Sequence, residues 1–160
     1  MAKSLFDSGF DQLDRAILEE LQVNSRISVA DLARKIHLSP PAVHQRIKRL
    51  ERVGVIEKYV ALLNREMVGC DLLCFISVTI QPHTKAQIDG FQVAVEALPA
   101  VLECYRTAGG HDLMLKVALR DHKELDRFIA DHLMTIAGVD RIEASPVLNE
   151  MKATTALKLK

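Results

Sequence analysis

Cysteine is scarce in this sequence, with three residues at Cys70, Cys74 and Cys104. The number is odd and no Cys-x-x-Cys occurs, which excludes a disulfide framework and a zinc site of the usual spacing. Cys74 lies in an apolar run and reads as a small buried hydrophobe. Proline and glycine are few, at five and seven, so no segment has a disordered composition. No apolar run reaches the ~18 residues of a membrane-spanning helix. Met1 to Asp14 carries acids early and lacks a long apolar core. A secretory signal is therefore not expected, and a cytoplasmic location is.

Catalytic signatures are missing as well. There is no G-x-S-x-G, no H-E-x-x-H and no Walker-type phosphate loop. The six histidines, His37, His44, His83, His111, His122 and His132, have no metal-ligand spacing and read as surface or turn residues. No catalytic residue, cofactor or metal is expected.

Net charge is also absent, since 21 basic residues balance 21 acidic ones. A neutral chain argues weakly against nucleic acid, but the average hides an asymmetry. Residues 1–60 hold ten Lys/Arg and eight Asp/Glu, a balance of +2; residues 61–160 hold eleven and thirteen, a balance of −2. Within Arg34 to Lys58, seven basic residues face only Glu51 and Glu57. A basic stripe on a neutral protein is the electrostatic footprint of a DNA binder. A solvated helix face is the plainer alternative.

What is present begins with three helical patterns. Leu13, Ile17, Leu18 and Leu21 recur at helical spacing, with Asp11 as N-cap and Asp14 in the first turn. Ser28 with Asp31 opens a short second helix whose stripe is Leu32, Ala33 and Ile36. Ser39 caps a third, with Pro40 at its first position and Val43, Ile47 and Leu50 on one side. Gly54 suits the left-handed position that ends it. Only His37-Leu38-Ser39 separates the second helix from the third, and so tight a joint between two short helices is a helix-turn-helix. Val55 to Ala61 reads as an extended hairpin or wing, and Leu62 to Asp71 as a connector.

The period then changes. Leu72–Gln81 alternates as a strand requires. Ile88, Phe91, Val95 and Leu98 give a helical stripe after Thr84. Val101–Thr107 and Leu113–Leu119 read as strands flanking the turn Ala108-Gly109-Gly110-His111. Leu125, Phe128, Ile129, Leu133 and Ile136 make a strong amphipathic helix ended by Gly138. Val139–Leu148 is a strand, and Thr154–Leu159 reads as a further extended segment. The order is βαββαβ, the split βαβ of ferredoxin-like domains. The expected fold is thus α+β: an N-terminal winged helix-turn-helix over 1–61, a linker over 62–71, and a ferredoxin-like domain over 72–160. Two helices cover one face of such a sheet. The other would expose side chains such as Phe75, so a second subunit is expected there.

Two places could carry recognition. On a wheel of the third helix, Pro41, Gln45, Lys48, Arg49 and Arg52 lie opposite the apolar stripe, with His44 and Arg46 flanking it. Gln45 and Arg49 are the expected base readers, since Gln pairs with adenine and Arg with guanine. Lys48 and Arg52 suit phosphates. Ser39, Pro41, His44 and Arg46 complete the DNA-facing set. The second place is the turn Gly109-Gly110-His111-Asp112. A glycine pair admits close approach by a ligand or another backbone. Asp112 either caps its own turn or receives an amino group.

Taken together, these residues resemble the Lrp/AsnC, or feast/famine, family of transcription regulators. The resemblance rests on Leu13-Asp14-Arg15-Ala16-Ile17-Leu18, Arg26-Ile27-Ser28, Asp31-Leu32-Ala33, Leu38-Ser39, Val43, Arg46-Ile47-Lys48-Arg49-Leu50-Glu51 and Gly54-Val55-Ile56. More loosely, it continues in Gly109-Gly110-His111-Asp112-Leu113, Gly138-Val139 and Val147-Leu148-Asn149-Glu150. It implies a sequence-specific regulator of double-stranded DNA. It also implies dimers formed through the C-terminal sheets and assembled into octamers or other rings, with an amino-acid effector held between subunits. Carried over by position, Gly109, Gly110, His111 and Asp112 would line the effector site, and Thr135, Ile136, Val147 and Leu148 would complete it or its interface. His111 departs from the aromatic residue often found there. The alternatives are an effector-independent architectural DNA-binding protein and, from a related branch, a tetrapyrrole decarboxylase. The intact basic third helix argues against the latter.

Overall fold

A computed structural model describes residues 9–159. It divides into two compact units, Met1–Ala61 with Lys152–Lys160, and Leu62–Met151.

In the first unit, α1 (Gln12–Val23), α2 (Val29–Lys35) and α3 (Pro40–Arg52) follow the expected stripes. Asp11 caps α1 by accepting from the backbone of Leu13 and Asp14, while the Asp14 side chain accepts from the Asp11 amide, closing a capping box. Ser28 caps α2 and Ser39 caps α3. The joint between them turns at His37, which takes φ 56°, the left-handed region rarely used by a residue with a side chain. Ile17, Leu18, Leu32, Ala33, Val43 and Leu50 form the core.

Beyond α3 the chain turns at Gly54, φ 76°. Val55 and Ile56 both donate to the Leu50 carbonyl and pack on the helical core. The expected wing is a single extended arm here, since no strand ladder is formed by Val55–Ala61 among the described residues. Residues 154–159, expected as a further extended segment, form no strand and belong to this first unit. The Gln22 side chain donates to the Leu157 carbonyl at 3.1 Å and accepts from its amide at 2.6 Å. Leu159 packs against the same core. One glutamine thereby satisfies both backbone polar groups of a residue far away in sequence.

The second unit begins with a short 3-10 turn, Glu66–Val68. It continues with β1 (Leu72–Ile80), α4 (Lys85–Glu96), β2 (Val101–Arg106), β3 (Leu113–Leu119), α5 (His122–Phe128) and β4 (Val139–Pro146). The sheet is antiparallel in the order β2-β3-β1-β4, which is the split βαβ arrangement expected from the sequence. Alternate residues of β1 and β3 (Cys74, Ile76, Val78, Ile80; Leu113, Leu115, Val117, Leu119) bury against Phe91 and Val95 of α4 and Leu125 and Phe128 of α5. Helix α5 was expected to run unbroken to Gly138; instead a π-helical turn follows over Ile129–Leu133, closed by the Met134 amide on the Ile129 carbonyl. Leu133, at the end of that turn, is buried in the core. Gly138 takes φ 87°, a left-handed conformation that favours glycine, while a Cβ there would meet only the movable end of the Gln87 side chain. The opposite sheet face carries Phe75, 39% exposed, with Tyr105 and Met114.

Candidate DNA-reading helix and sensing hairpin

Helix α3 presents two polar ridges with different surroundings. Pro41, His44, Gln45, Lys48 and Arg52 are exposed, as is Ser39 at the cap. Lys48 makes only a peripheral pair with Glu51 at 3.3 Å, worth little in water. This ridge is free to meet a partner.

Arg46 and Arg49 form the second ridge, and both turn back onto the N-terminus of α1. Arg46 Nη1 lies 2.8 Å from Asp14 Oδ1 and 2.8 Å from Asp11 Oδ1. Arg49 Nη2 lies 2.5 Å from Asp14 Oδ2, and its guanidinium carbon sits 5.1 Å from the centre of the Phe10 ring, a cation–π contact. Asp14 is fully buried, while the two arginine side chains are 26% and 39% exposed. The Asp14 hydrogen bond raises the Arg46 pKa further, and the Asp14 amide, followed by Arg46, lowers that of Asp11. The wheel placed Arg49 among the outward residues. Its direction is set instead by an acid 35 positions away, which periodicity within α3 cannot register.

The hairpin between β2 and β3 is built from the expected residues, with uses of its own. Asp112 Oδ2 accepts from the Ile80 amide at 2.8 Å, and Oδ1 lies 2.9 Å from His83 Nδ1. The β1–β4 register slips between Thr79 and Ile80. Asp112 thus supplies an acceptor to a neighbouring strand at a bulge, rather than capping its own turn. Thr107 does that capping, donating its hydroxyl to the His111 carbonyl at 2.7 Å. His111 Nε2 faces Glu143 Oε2 at 3.2 Å, while His111 Nδ1 is buried with no protein partner. A Cβ added to Gly109 or Gly110 would meet nothing within 4 Å, so nothing inside the chain requires glycine there.

The remaining sensing residues lie elsewhere. Thr135 and Ile136 line a cavity of about 460 Å³ with Gln87, Gly90 and His132. Val147 donates to the Leu73 carbonyl, at the start of β1, whereas the Asp112 amide donates to Val78 near its end. Leu148 is almost fully exposed. The eight candidates therefore do not converge on one pocket of a single protomer. Sequence reasoning missed His83, Glu143 and the Asp14–Phe10 hub; a first-turn acid inside an apolar stripe was the one local signal for the last.

Comparison with known proteins bears on both units. Residues 10–51 match the AsnC-type helix-turn-helix domain, and residues 73–157 match the Lrp/AsnC ligand binding domain. The chain belongs to the Lrp/AsnC family. It is a DNA-binding transcription regulator with a ligand-binding domain. It is 36% identical over 154 residues to the leucine-responsive regulatory protein of Haemophilus influenzae, covering 96% of this chain and 93% of that one. The Escherichia coli protein of the same name is 33% identical over 150 residues, covering 94% and 92%. Among solved Lrp/AsnC relatives, the transcriptional regulator NMB0573 of Neisseria meningitidis, in complex with L-Met, superposes with a TM-score of 0.90 at 35% identity, covering 94% of this chain and 97% of that one. AsnC of E. coli gives 0.85 at 28% identity, covering 92% and 97%.

Proposed function

We propose that this regulator acts in the cytoplasm as a homodimer or larger ring, reading double-stranded DNA with α3 and responding to an amino acid, with no catalytic step of its own. The observation that carries the DNA reading is the free ridge of α3 on a helix-turn-helix. Gln45 is the base reader, with His44 beside it. Ser39, Pro41, Lys48 and Arg52 set register against the backbone. The division of labour is a DNA-binding domain over 1–61, a linker over 62–71 and an assembly and sensing domain from 72, whose last residues, 152–159, return to the helical unit.

The effector is an amino acid bound around Gly109–Asp112. The relative holding L-Met supports this, as does the open space beside both glycines. Thr135, Ile136, Val147 and Leu148 belong to the same site only where a second copy brings opposite ends of two sheets together. The uncovered Phe75 face supports such a partner. Two measurements test the reading. Genomic DNA is selected with the full-length protein, with and without an amino-acid pool; ligand-dependent sites are expected, and binding that ignores both sequence and ligand would favour the architectural alternative. Light scattering at micromolar concentration should give a dimer or a multiple of it, and a monomer would refute the assembly.

A further inference from the structure

We infer that Asp14 is a positioning residue for DNA recognition: it withdraws Arg46 and Arg49 from the DNA-facing surface and fixes the rotation of α3, leaving base reading to the Gln45 ridge. This rests on the proposal that α3 reads DNA and says how its repertoire is set.

A buried carboxylate is costly unless fully paired, and an apolar side chain of similar size usually serves stability as well or better. Asp14 is the one charged residue with no exposure among the described residues, so stability alone does not account for it. Its partners do. Oδ1 takes Arg46; Oδ2 takes Arg49 and the Asp11 amide. Arg46 is shared with Asp11, whose other acceptor duty is the cap of α1. Arg49 is covered by Phe10. The arrangement even tolerates an unmet donor, since Arg49 Nε is buried without a partner, a cost expected of a geometry held for orientation.

The spacing makes the choice discrete. Arg46 and Arg49 are three apart and share one side of the helix. Gln45, Lys48 and Arg52 stand at i, i+3 and i+7 on the adjoining side. A guanidinium is a strong, bidentate reader of guanine and a strong phosphate ligand. Two such groups released beside the Gln45 ridge would compete with it. With Asp14 in place, two of the three arginines of α3 are committed to the protein and only Arg52 stays on the exposed ridge.

The test uses the full-length protein and compares Asp14→Asn, Arg49→Gln and Gln45→Ala with wild type by selection of random-sequence DNA, salt titration of binding and thermal melting. Asp14→Asn is expected to change the preferred site and to steepen the salt dependence by about one to two counterions, as freed arginines reach phosphates. Arg49→Gln should lower the melting temperature yet keep the preferred site and the salt slope, while Gln45→Ala should relax one base position. Overturning results are a folded Asp14→Asn with wild-type site and slope, or an Arg49→Gln that loses a base preference and about one counterion. Should Asp14→Asn fail to fold, the Arg49→Gln comparison decides alone. If wild type selects no DNA, the reading of α3 itself is at fault, and that failure is visible in the wild-type sample without any variant.

Discussion

The helical unit buries a cluster of six apolar residues beside a fully buried carboxylate, whereas the sheet unit buries a cluster of thirteen, all apolar. In this small three-helix core, directional charge pairs to Asp14 add to the apolar contacts that Val43 and Leu50 of α3 make. The sheet unit has the opposite character. Its strand ladders and its α4–α5 layer define one face fully, and it leaves the other, with Phe75, Met114 and Tyr105, for something else to cover. One unit is specified by polar geometry and the other by apolar area.

That contrast can be broken or sharpened by substitution. The largest effect is expected in the sheet core. Phe91→Ala, at a position with no exposure, should cost about 3–5 kcal/mol. Hydrogen exchange should show the loss over the strands while α1–α3 keep their protection; an equal loss in both units would mean that they are one cooperative body. In the helical unit, Asp14→Ala leaves Arg49 without its acid and Arg46 with Asp11 alone. Because both remain partly in water, the expected cost is about 2–3 kcal/mol, below the value for a fully buried pair. It should appear in the α1–α3 amides and leave the sheet untouched. Ser39→Ala removes the acceptor for the Ala42 amide and should cost about 1 kcal/mol, read as a fall in denaturant midpoint with unchanged slope.

Acid gives the smallest separation. Asp11 is held below its ordinary value of 3.8, chiefly by the Asp14 amide, then by Arg46. Glu103 in the sheet unit is held below 4.5 by the Tyr105 hydroxyl and Lys116. A depressed carboxylate stabilises the fold above its unfolded value, and the contribution is lost as pH falls through the folded value. Both units should therefore weaken below about pH 4. Asp11→Asn should flatten this dependence for α1–α3 alone, and Glu103→Gln for the sheet alone, each followed by circular dichroism against pH.

Much of the fold was legible because it is written locally. Periodicity located the helices and strands, and Asp11, Ser28 and Ser39 cap the helices assigned to them. The βαββαβ order followed from the elements alone. Illegible features depend on distant partners. The direction of Arg49 is decided by Asp14, the role of Asp112 by a slipped register on another strand, and the placement of residues 152–159 by Gln22. The π-helical turn escaped notice because Leu125, Phe128, Leu133 and Ile136 also fit an ordinary helical stripe within a residue. The candidate site was legible as an exposed polar ridge of α3, but a wheel treats every long side chain as pointing straight outward and so misses the turn of Arg49 back onto Asp14.

The clamp between Gln22 and Leu157 has a consequence in time. Its two ends are 135 positions apart, and the whole sheet unit lies between them in the order of synthesis. Helices α1 to α3 leave the ribosome early, with all of their own capping residues and with Asp14, Arg46 and Arg49 already present. Their last hydrogen-bonding partner arrives only after β4 has been made. Until then the exposed ridge of α3 is present without the Leu157 segment that pairs with Gln22 of α1. Amide protection at Leu157 would report on the helical unit, although the residue is made only after the whole sheet unit.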